Sequence, residues 1–269
     1  MPRFSTKDCS AVITGASSGL GAEFARQLAP HARALALVAR REPEMADLAA
    51  SLAKSHPSLR IAVIPCDLAD PDARSQLPAH LASLGFRTNF LINNAGLGDY
   101  GEFSSAPWHR IHDILKVNIE ALTHLSHAFL PDLATAAPAA ILNVSSLAGE
   151  LPIPDFAVYA ASKAYVSSFS EALRIELKSQ RITVSAFAPG PIHTNFGQIA
   201  RRTASEKPTQ PPWSYVPADK AVASALAALR ARRARCTPGF IPATTARLIN
   251  CLPRPFLRAI LSLRPRRSP

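Results

Sequence analysis

Apolar residues gather in short unbroken runs at 10–14, 34–39, 60–65, 89–92, 139–144 and 182–187, and the intervals between them carry helical periodicity. Runs of that length with no alternating polar face predict strands buried on both sides, and their alternation with helices predicts a parallel sheet. Helices on both faces of such a sheet make a doubly wound, Rossmann-type α/β fold, a three-layer sandwich whose ligand crevice lies at the carboxyl ends of the strands. At 269 residues and 48% hydrophobic, the chain supports one sizeable core, and nothing marks a second domain between residues 1 and 269.

The polar segments that follow these runs carry the candidate chemistry. After the first run comes Thr14-Gly15-Ala16-Ser17-Ser18-Gly19-Leu20-Gly21, then a helical pattern. Strand, glycine-rich turn and helix in that order form a phosphate loop, with Gly15, Gly19 and Gly21 permitting the tight turn and the close approach of a pyrophosphate. The hydroxyls of Thr14, Ser17 and Ser18 supplement the backbone donors. Further on, Tyr159 and Lys163 stand four residues apart in YAASK. On a helix that gap places both side chains on one face, where an ammonium favours the phenolate and draws the tyrosine pKa down from about 10.

The glycines fall as GxxxGxG. Together with NNAG at 93–96, Asn118, NVSSLAG at 143–149, YAASK at 159–163 and PGPIHT at 189–194, this spacing resembles the short-chain dehydrogenase/reductase family over about residues 8–195. The resemblance implies transfer of a hydride between a nicotinamide cofactor and a carbonyl or secondary alcohol, with a tetrad of Asn118, Ser146, Tyr159 and Lys163. Tyr159 is then the general acid or base, and Lys163 also binds the nicotinamide ribose. Ser146, thirteen residues before Tyr159, orients the substrate oxygen; its neighbour Ser145 leaves the strand toward the opposite face. The carbonyl of Asn118 holds a water that links Lys163 to solvent. Asp67 and Leu68 meet the adenine, and the turn of Asn93, Asn94, Ala95 and Gly96 runs along the cofactor. Pro189, Gly190, Ile192 and Thr194 meet the nicotinamide.

Cofactor choice is read from ALALVARRE at 34–42, where Ala39 stands in the place of the ribose-binding acid of NAD enzymes and Arg40 and Arg41 follow. A guanidinium grips the extra phosphate of NADP, so NADP is expected over NAD, with Arg40 as the main contact. Residues 195–215, polar and without periodicity, read as a substrate lid, with Phe196, Trp213 and Tyr215 offering apolar surface. The leading function is an NADPH-dependent carbonyl reductase. The alternatives are a catalytically idle NADP-binding sensor or scaffold, and a membrane-surface enzyme with a lipid-like substrate.

Charge is divided unevenly. Residues 201–269 carry 14 Lys and Arg against Glu206 and Asp219, a net of +12, whereas residues 1–200 balance to −1. The basic residues are interleaved with prolines and aliphatics instead of stacking aromatics, which argues against nucleic acid. Within the basic C-terminal segment, about 236–269, the stretch 248–263 is too short and charged to span a bilayer, and it reads either as a solvated or oligomer-contact helix or as a segment lying on an anionic membrane. Pro253 and Pro255 interrupt any continuous helix there. Cys9, Cys66, Cys236 and Cys251 show no metal-ligand spacing and read as buried, reduced thiols; no metal is expected. MPRFSTKDCS leads directly into the first strand without a signal-peptide core, so cytoplasmic residence is expected. A homodimer or homotetramer through the helix at 155–178 follows from the resemblance.

Overall fold

A computed structural model describes residues 3–202 and 214–262. Seven parallel strands form one sheet in the order β3-β2-β1-β4-β5-β6-β7: β1 Ser10–Thr14, β2 Ala34–Ala39, β3 Arg60–Pro65, β4 Phe90–Asn93, β5 Ala139–Val144, β6 Ile182–Phe187 and β7 Arg235–Cys236. Five of the six apolar runs match their strands residue for residue; the fourth is displaced by one, and β7 is additional. Residues along β1, β2, β5 and β6 are buried throughout. The pleat then sorts alternate side chains to opposite faces: Ala11, Ile13, Leu35 and Leu37 join one core, Val12, Ala36 and Val38 the other.

Each face is closed by helices. The first core takes α1 (Gly19–Leu28), α2 (Glu42–Ser55) and, later in the chain, a helix at Ala218–Arg230. In α1 the buried set Gly21, Phe24, Ala25 and Leu28 follows the helical period, and full burial of Phe24 alone contributes about 1.5–3 kcal/mol. The second core takes α3 (Pro71–Ser83), a long stretch at 108–128, and the helix Ala157–Glu176, which bears the Tyr and Lys. This last helix occupies nearly the expected 155–178.

The stretch at 108–128 is not uniform. It runs as α4 (Trp108–Ile114), a π-helical segment (Leu115–Ala121) and α5 (Leu122–Ala128), and it is followed by α6 (Leu130–Thr135) and then α7 (Ala157–Glu176). Such π segments recur where a side chain must be re-aimed, and Asn118 lies in this one. After β6 come α8 (Phe196–Ala200), α9 (Ala218–Arg230), α10 (Phe240–Cys251) and α11 (Arg254–Ser262). The break between α10 and α11 falls at Leu252 and Pro253, as the prolines require. The sheet order reverses between β1 and β4, and the crevice opens there, at the strands' carboxyl ends.

Candidate active site

A cleft of about 1270 Å³ runs from the turn after β1 to the mouth formed by residues 195–201. Its first wall is the glycine turn. Gly15 has φ +66° and Gly19 φ +55°, conformations open to glycine, and a Cβ on Gly21 would stand 2.2 Å from the Gly15 carbonyl oxygen. The turn is bolted to the end of β4 across the reversal point. Thr14 Oγ1 accepts from the amides of Asn94 (2.9 Å) and Ala95 (3.0 Å), and Asn94 Nδ2 donates to the Thr14 carbonyl at 2.8 Å. The Thr14 hydroxyl is therefore a buried structural staple and not a phosphate donor, which corrects the expectation from sequence. Ser17, Ser18, Gly19 and Leu20 line the cleft.

Beyond β2 both arginines line the cleft, but it is Arg41 that reaches the loop. Its guanidinium donates to Ser17 Oγ at 3.0 Å and Ser18 Oγ at 2.7 Å, with Glu44 on its other side at 3.3 Å. The adjacent Arg40 is exposed. Asp67 and Leu68 lie in the cleft wall, and buried Arg74 supports them by donating to the Leu68 carbonyl at 3.0 Å. Asn94, Ala95 and Gly96 line the middle of the cleft, whereas Asn93 is buried in the sheet, donating to Ser126 Oγ (3.0 Å) and Asn143 Oδ1 (2.9 Å). Pro189, Gly190, Ile192 and Thr194 form the opposite wall.

The reactive end brings the four tetrad positions together. Strand alternation at the end of β5 separates the two serines: Ser145 Oγ donates to the Lys163 carbonyl at 2.7 Å, inside the protein, while Ser146 faces Tyr159. Ser146 Oγ also accepts from the Ala148 amide at 3.1 Å, which fixes its rotamer. Lys163 Nζ lies 5.7 Å from the Tyr159 ring centroid and donates to the Val144 carbonyl at 2.8 Å. A Cβ on Gly96 would come within 3.2 Å of that nitrogen and 3.4 Å of Asn118 Oδ1, so only a glycine leaves this space free. Asn118 is fully buried; its Oδ1 accepts from the Leu97 amide (2.8 Å) and its Nδ2 donates to the Leu97 carbonyl (2.9 Å) and Ser162 Oγ (3.0 Å). The side-chain carbonyl is thus already engaged by protein.

Burial decides the electrostatics. The Tyr159 hydroxyl is pushed up to about 12 by loss of water, an effect the hydrogen bond with Ser146 only partly offsets. The same burial pushes the Lys163 ammonium down to about 8. The expectation that Lys163 lowers the tyrosine is not met in the cofactor-free chain. Desolvation is the dominant cause, and the Lys163 ammonium is turned toward the Val144 carbonyl.

The cleft fits a dinucleotide on its own geometry. Among the described residues, the three-donor ammonium of Lys163 is buried with a single hydrogen-bond acceptor, Val144, and its nearest open space is the cleft beside Gly96. Ribose hydroxyls would supply the missing acceptors, while the glycine turn presents its backbone and the start of α1 to a pyrophosphate.

The walls around Tyr159 were not foreseen. Phe156 stacks on its ring at 4.3 Å, Phe196 approaches at 5.5 Å, and Tyr100 meets Phe156 edge-on at 5.7 Å. Phe196 was expected at this end; Tyr100 and Phe156 come from loops with no periodic signal. Tyr215 stacks on His193 at 5.1 Å, and Trp213 lies outside the described residues. The segment expected to be a lid contains α8, and its base is tied down by Arg202, whose guanidinium donates to Asp99 Oδ2 at 2.6 Å beside Arg110 on Oδ1 at 2.7 Å. The thiols depart in part from expectation: all four are free, but Cys236 is half-buried and Cys251 is exposed.

The model of the short chain dehydrogenase family matches residues 10–205. Sulfoacetaldehyde reductase 2 of Chromohalobacter salexigens is 36% identical over 190 residues, 69% of this chain and 73% of that protein. A very-long-chain 3-oxoacyl-CoA reductase of Laccaria bicolor is 35% identical over 66% of this chain, which spans only 53% of that longer protein. Among solved structures, a short-chain dehydrogenase of Sphingobium yanoikuyae in complex with NADPH superimposes with a TM-score of 0.79 at 27% identity, covering 97% of this chain and 98% of that one. The bulky-bulky ketone specific alcohol dehydrogenase of Comamonas testosteroni gives 0.75 at 27% identity, with 96% of each chain covered. A Burkholderia phymatum short chain dehydrogenase/reductase in complex with NAD gives 0.78 at 25% identity, covering 91% and 94%. Motifs, sheet order, cleft and family model agree: the chain belongs to the short-chain dehydrogenase/reductase family and is an oxidoreductase that uses a nicotinamide dinucleotide.

Proposed function

We propose that the protein is an NADPH-dependent carbonyl reductase acting on apolar ketones or aldehydes. The observation that carries this reading is the Tyr159 hydroxyl, buried at the inner end of the cleft, beside Ser146 and one helical turn from Lys163. A reduced nicotinamide supplies the hydride when bound. The chain's own residues then do the rest. Ser146 donates to the substrate oxygen and aims it at Tyr159, Tyr159 yields its proton to that oxygen as negative charge develops, and Lys163 binds the ribose with its free donors. A phenol is protonated at neutral pH, the form in which it can act as the acid. The reverse oxidation requires the phenolate and gains with alkalinity. For Asn118, whose side chain is occupied by Leu97, the main-chain carbonyl in the π segment is the atom left for a linking water.

NADP preference rests on Ala39 and on the two arginines, with Arg41 already hydrogen-bonded to the phosphate loop and Arg40 free to swing in from solvent. The aromatic walls of Tyr100, Phe156 and Phe196 support an apolar substrate, in keeping with the ketone enzyme among the structural neighbours. The described part of the expected lid, residues 195–202, borders the cleft and is read as its edge, while 203–213 lie outside the described residues. Exposed Phe103 in the 3-10 turn before α4, Trp108 on α4 and Tyr165 on α7 support a homodimer or homotetramer, and four free thiols support residence in the reducing cytoplasm. The test is NADPH oxidation by the full chain over a panel of aromatic and long-chain ketones and aldehydes. Turnover on apolar carbonyls supports the reading; tight NADPH binding with no turnover on any carbonyl would favour a sensor or scaffold instead.

A further inference from the structure

The last two described helices leave a surface that the reductase chemistry does not use. Phe240, Leu248 and Phe256 are 87%, 62% and 55% exposed, and Leu252, at the break between α10 and α11, is 37% exposed. Four large apolar side chains in 17 residues, all turned to solvent, are more than scattered surface hydrophobics, and they lie within the part of the sequence that carries a net charge of +12. The inner side of the same two helices is attached to the active-site cleft. Buried Pro242 of α10 packs where a Cβ on Gly190 would stand, at 3.2 Å, and Leu261 of α11 is half-buried and lines the cleft itself. Among the described residues no helix is long and apolar enough to cross a membrane. The combination is an apolar outer face, carrying the exposed Arg258, on the helices that cap the cleft, within a stretch of sequence rich in arginine.

We propose that α10 and α11 dock the protein on an anionic phospholipid surface and seat the mouth of the cleft at that surface. The apolar side chains insert at the level of the headgroups while the arginines around them meet lipid phosphate. The consequence for substrate, which rests on the carbonyl reductase reading above, is that an apolar carbonyl compound dissolved in the membrane enters past Leu261 without crossing water.

The experiment is sedimentation of the full chain with vesicles of phosphatidylcholine alone and of phosphatidylcholine with 30% phosphatidylglycerol. The expected result is cosedimentation with the anionic vesicles only, weakening as salt is raised. Each basic residue near such a surface contributes about fivefold, so Arg258→Glu, which removes one charge and adds the opposite one, is expected to weaken partition by about 30-fold. Leu252→Ser with Phe256→Ser is expected to abolish binding while leaving turnover on a small water-soluble ketone unchanged, since neither residue touches the cleft. Absence of binding by the full chain would overturn the proposal. So would binding indifferent to lipid charge, or a fall in oligomer mass of the double variant by light scattering, which would assign the face to a second copy of the chain. Sedimentation does not depend on catalysis, so a failed reductase assay and a failed docking assay are separately visible. Where both succeed, anionic vesicles are expected to lower KM for a membrane-soluble aldehyde and to leave KM for a water-soluble one unchanged.

Discussion

Replacing Lys163 with methionine tests the electrostatics of the site without requiring a substrate. The folded chain depresses this ammonium from 10.5 to about 8 by burial, which at about 1.4 kcal/mol per pH unit means that holding it charged at neutral pH costs roughly 3 kcal/mol. Methionine occupies a similar volume without charge, but it leaves the Val144 carbonyl without its donor, a loss of about 1–2 kcal/mol. The net expectation for Lys163→Met at pH 7 is a gain of about 1–2 kcal/mol, a rise in Tm of a few degrees for a chain of this size. The sign with pH follows from linkage. Below pH 8 both folded and unfolded chains carry the proton and the full penalty is present; between about 8 and 10.5 the folded lysine releases its proton while the unfolded one retains it. The wild type therefore recovers stability through that window, and the variant lacks this component. Thermal melts of both proteins from pH 7 to 10 measure it. A variant less stable than wild type at pH 7, with the gap unchanged up to pH 10, would refute the reasoning and show that the ammonium is better solvated than its surroundings imply. NADPH is expected to raise the wild-type Tm more than that of the variant, because the ribose acceptors reach only the lysine.

Three other substitutions separate the parts of the cofactor site. Arg41→Ala removes the guanidinium bound to Ser17 and Ser18 and is expected to weaken NADPH by about tenfold or more while leaving NADH nearly unaffected; fluorescence titration with both cofactors measures the ratio. Arg40→Asp places a carboxylate beside the same phosphate and is expected to shift preference toward NADH, and an unchanged ratio in both variants would move the phosphate elsewhere. Gly21→Ala drives a Cβ against the Gly15 carbonyl, so it should destabilise the chain by about 1–3 kcal/mol and reduce affinity for both cofactors alike, by denaturant melt and titration.

Much of the fold was legible because its strands are buried on both faces and their apolar runs have no competing pattern. β7 was not, since two residues carry no period, and its place at the sheet edge depends on pairing with Ala186 and Phe187. The four tetrad positions were legible through the family resemblance, whose interval to Tyr159 also favoured Ser146 over Ser145; strand alternation adds only that one of the two serines can face the cleft. What sequence could not supply was direction and solvation. Thr14 turned its hydroxyl to the amides of Asn94 and Ala95 instead of the cleft, a direction that no run of residues specifies. The tyrosine pKa moved up instead of down because burial, invisible in a four-residue spacing, outweighs the hydrogen bond with Ser146. The π segment around Asn118 and the aromatic box of Tyr100 and Phe156 arise from loop and helix conformations that no local propensity encodes.

The central claim is that Tyr159 is the proton donor of a carbonyl reduction, and Tyr159→Phe tests it most directly. The variant loses one oxygen and keeps the stacked ring between Phe156 and Phe196. With NADPH affinity measured by fluorescence in the same preparations, kcat for an apolar ketone is expected to fall at least 100-fold while NADPH affinity stays within about twofold. A variant that binds NADPH and reduces the ketone at a rate close to wild type would contradict the account.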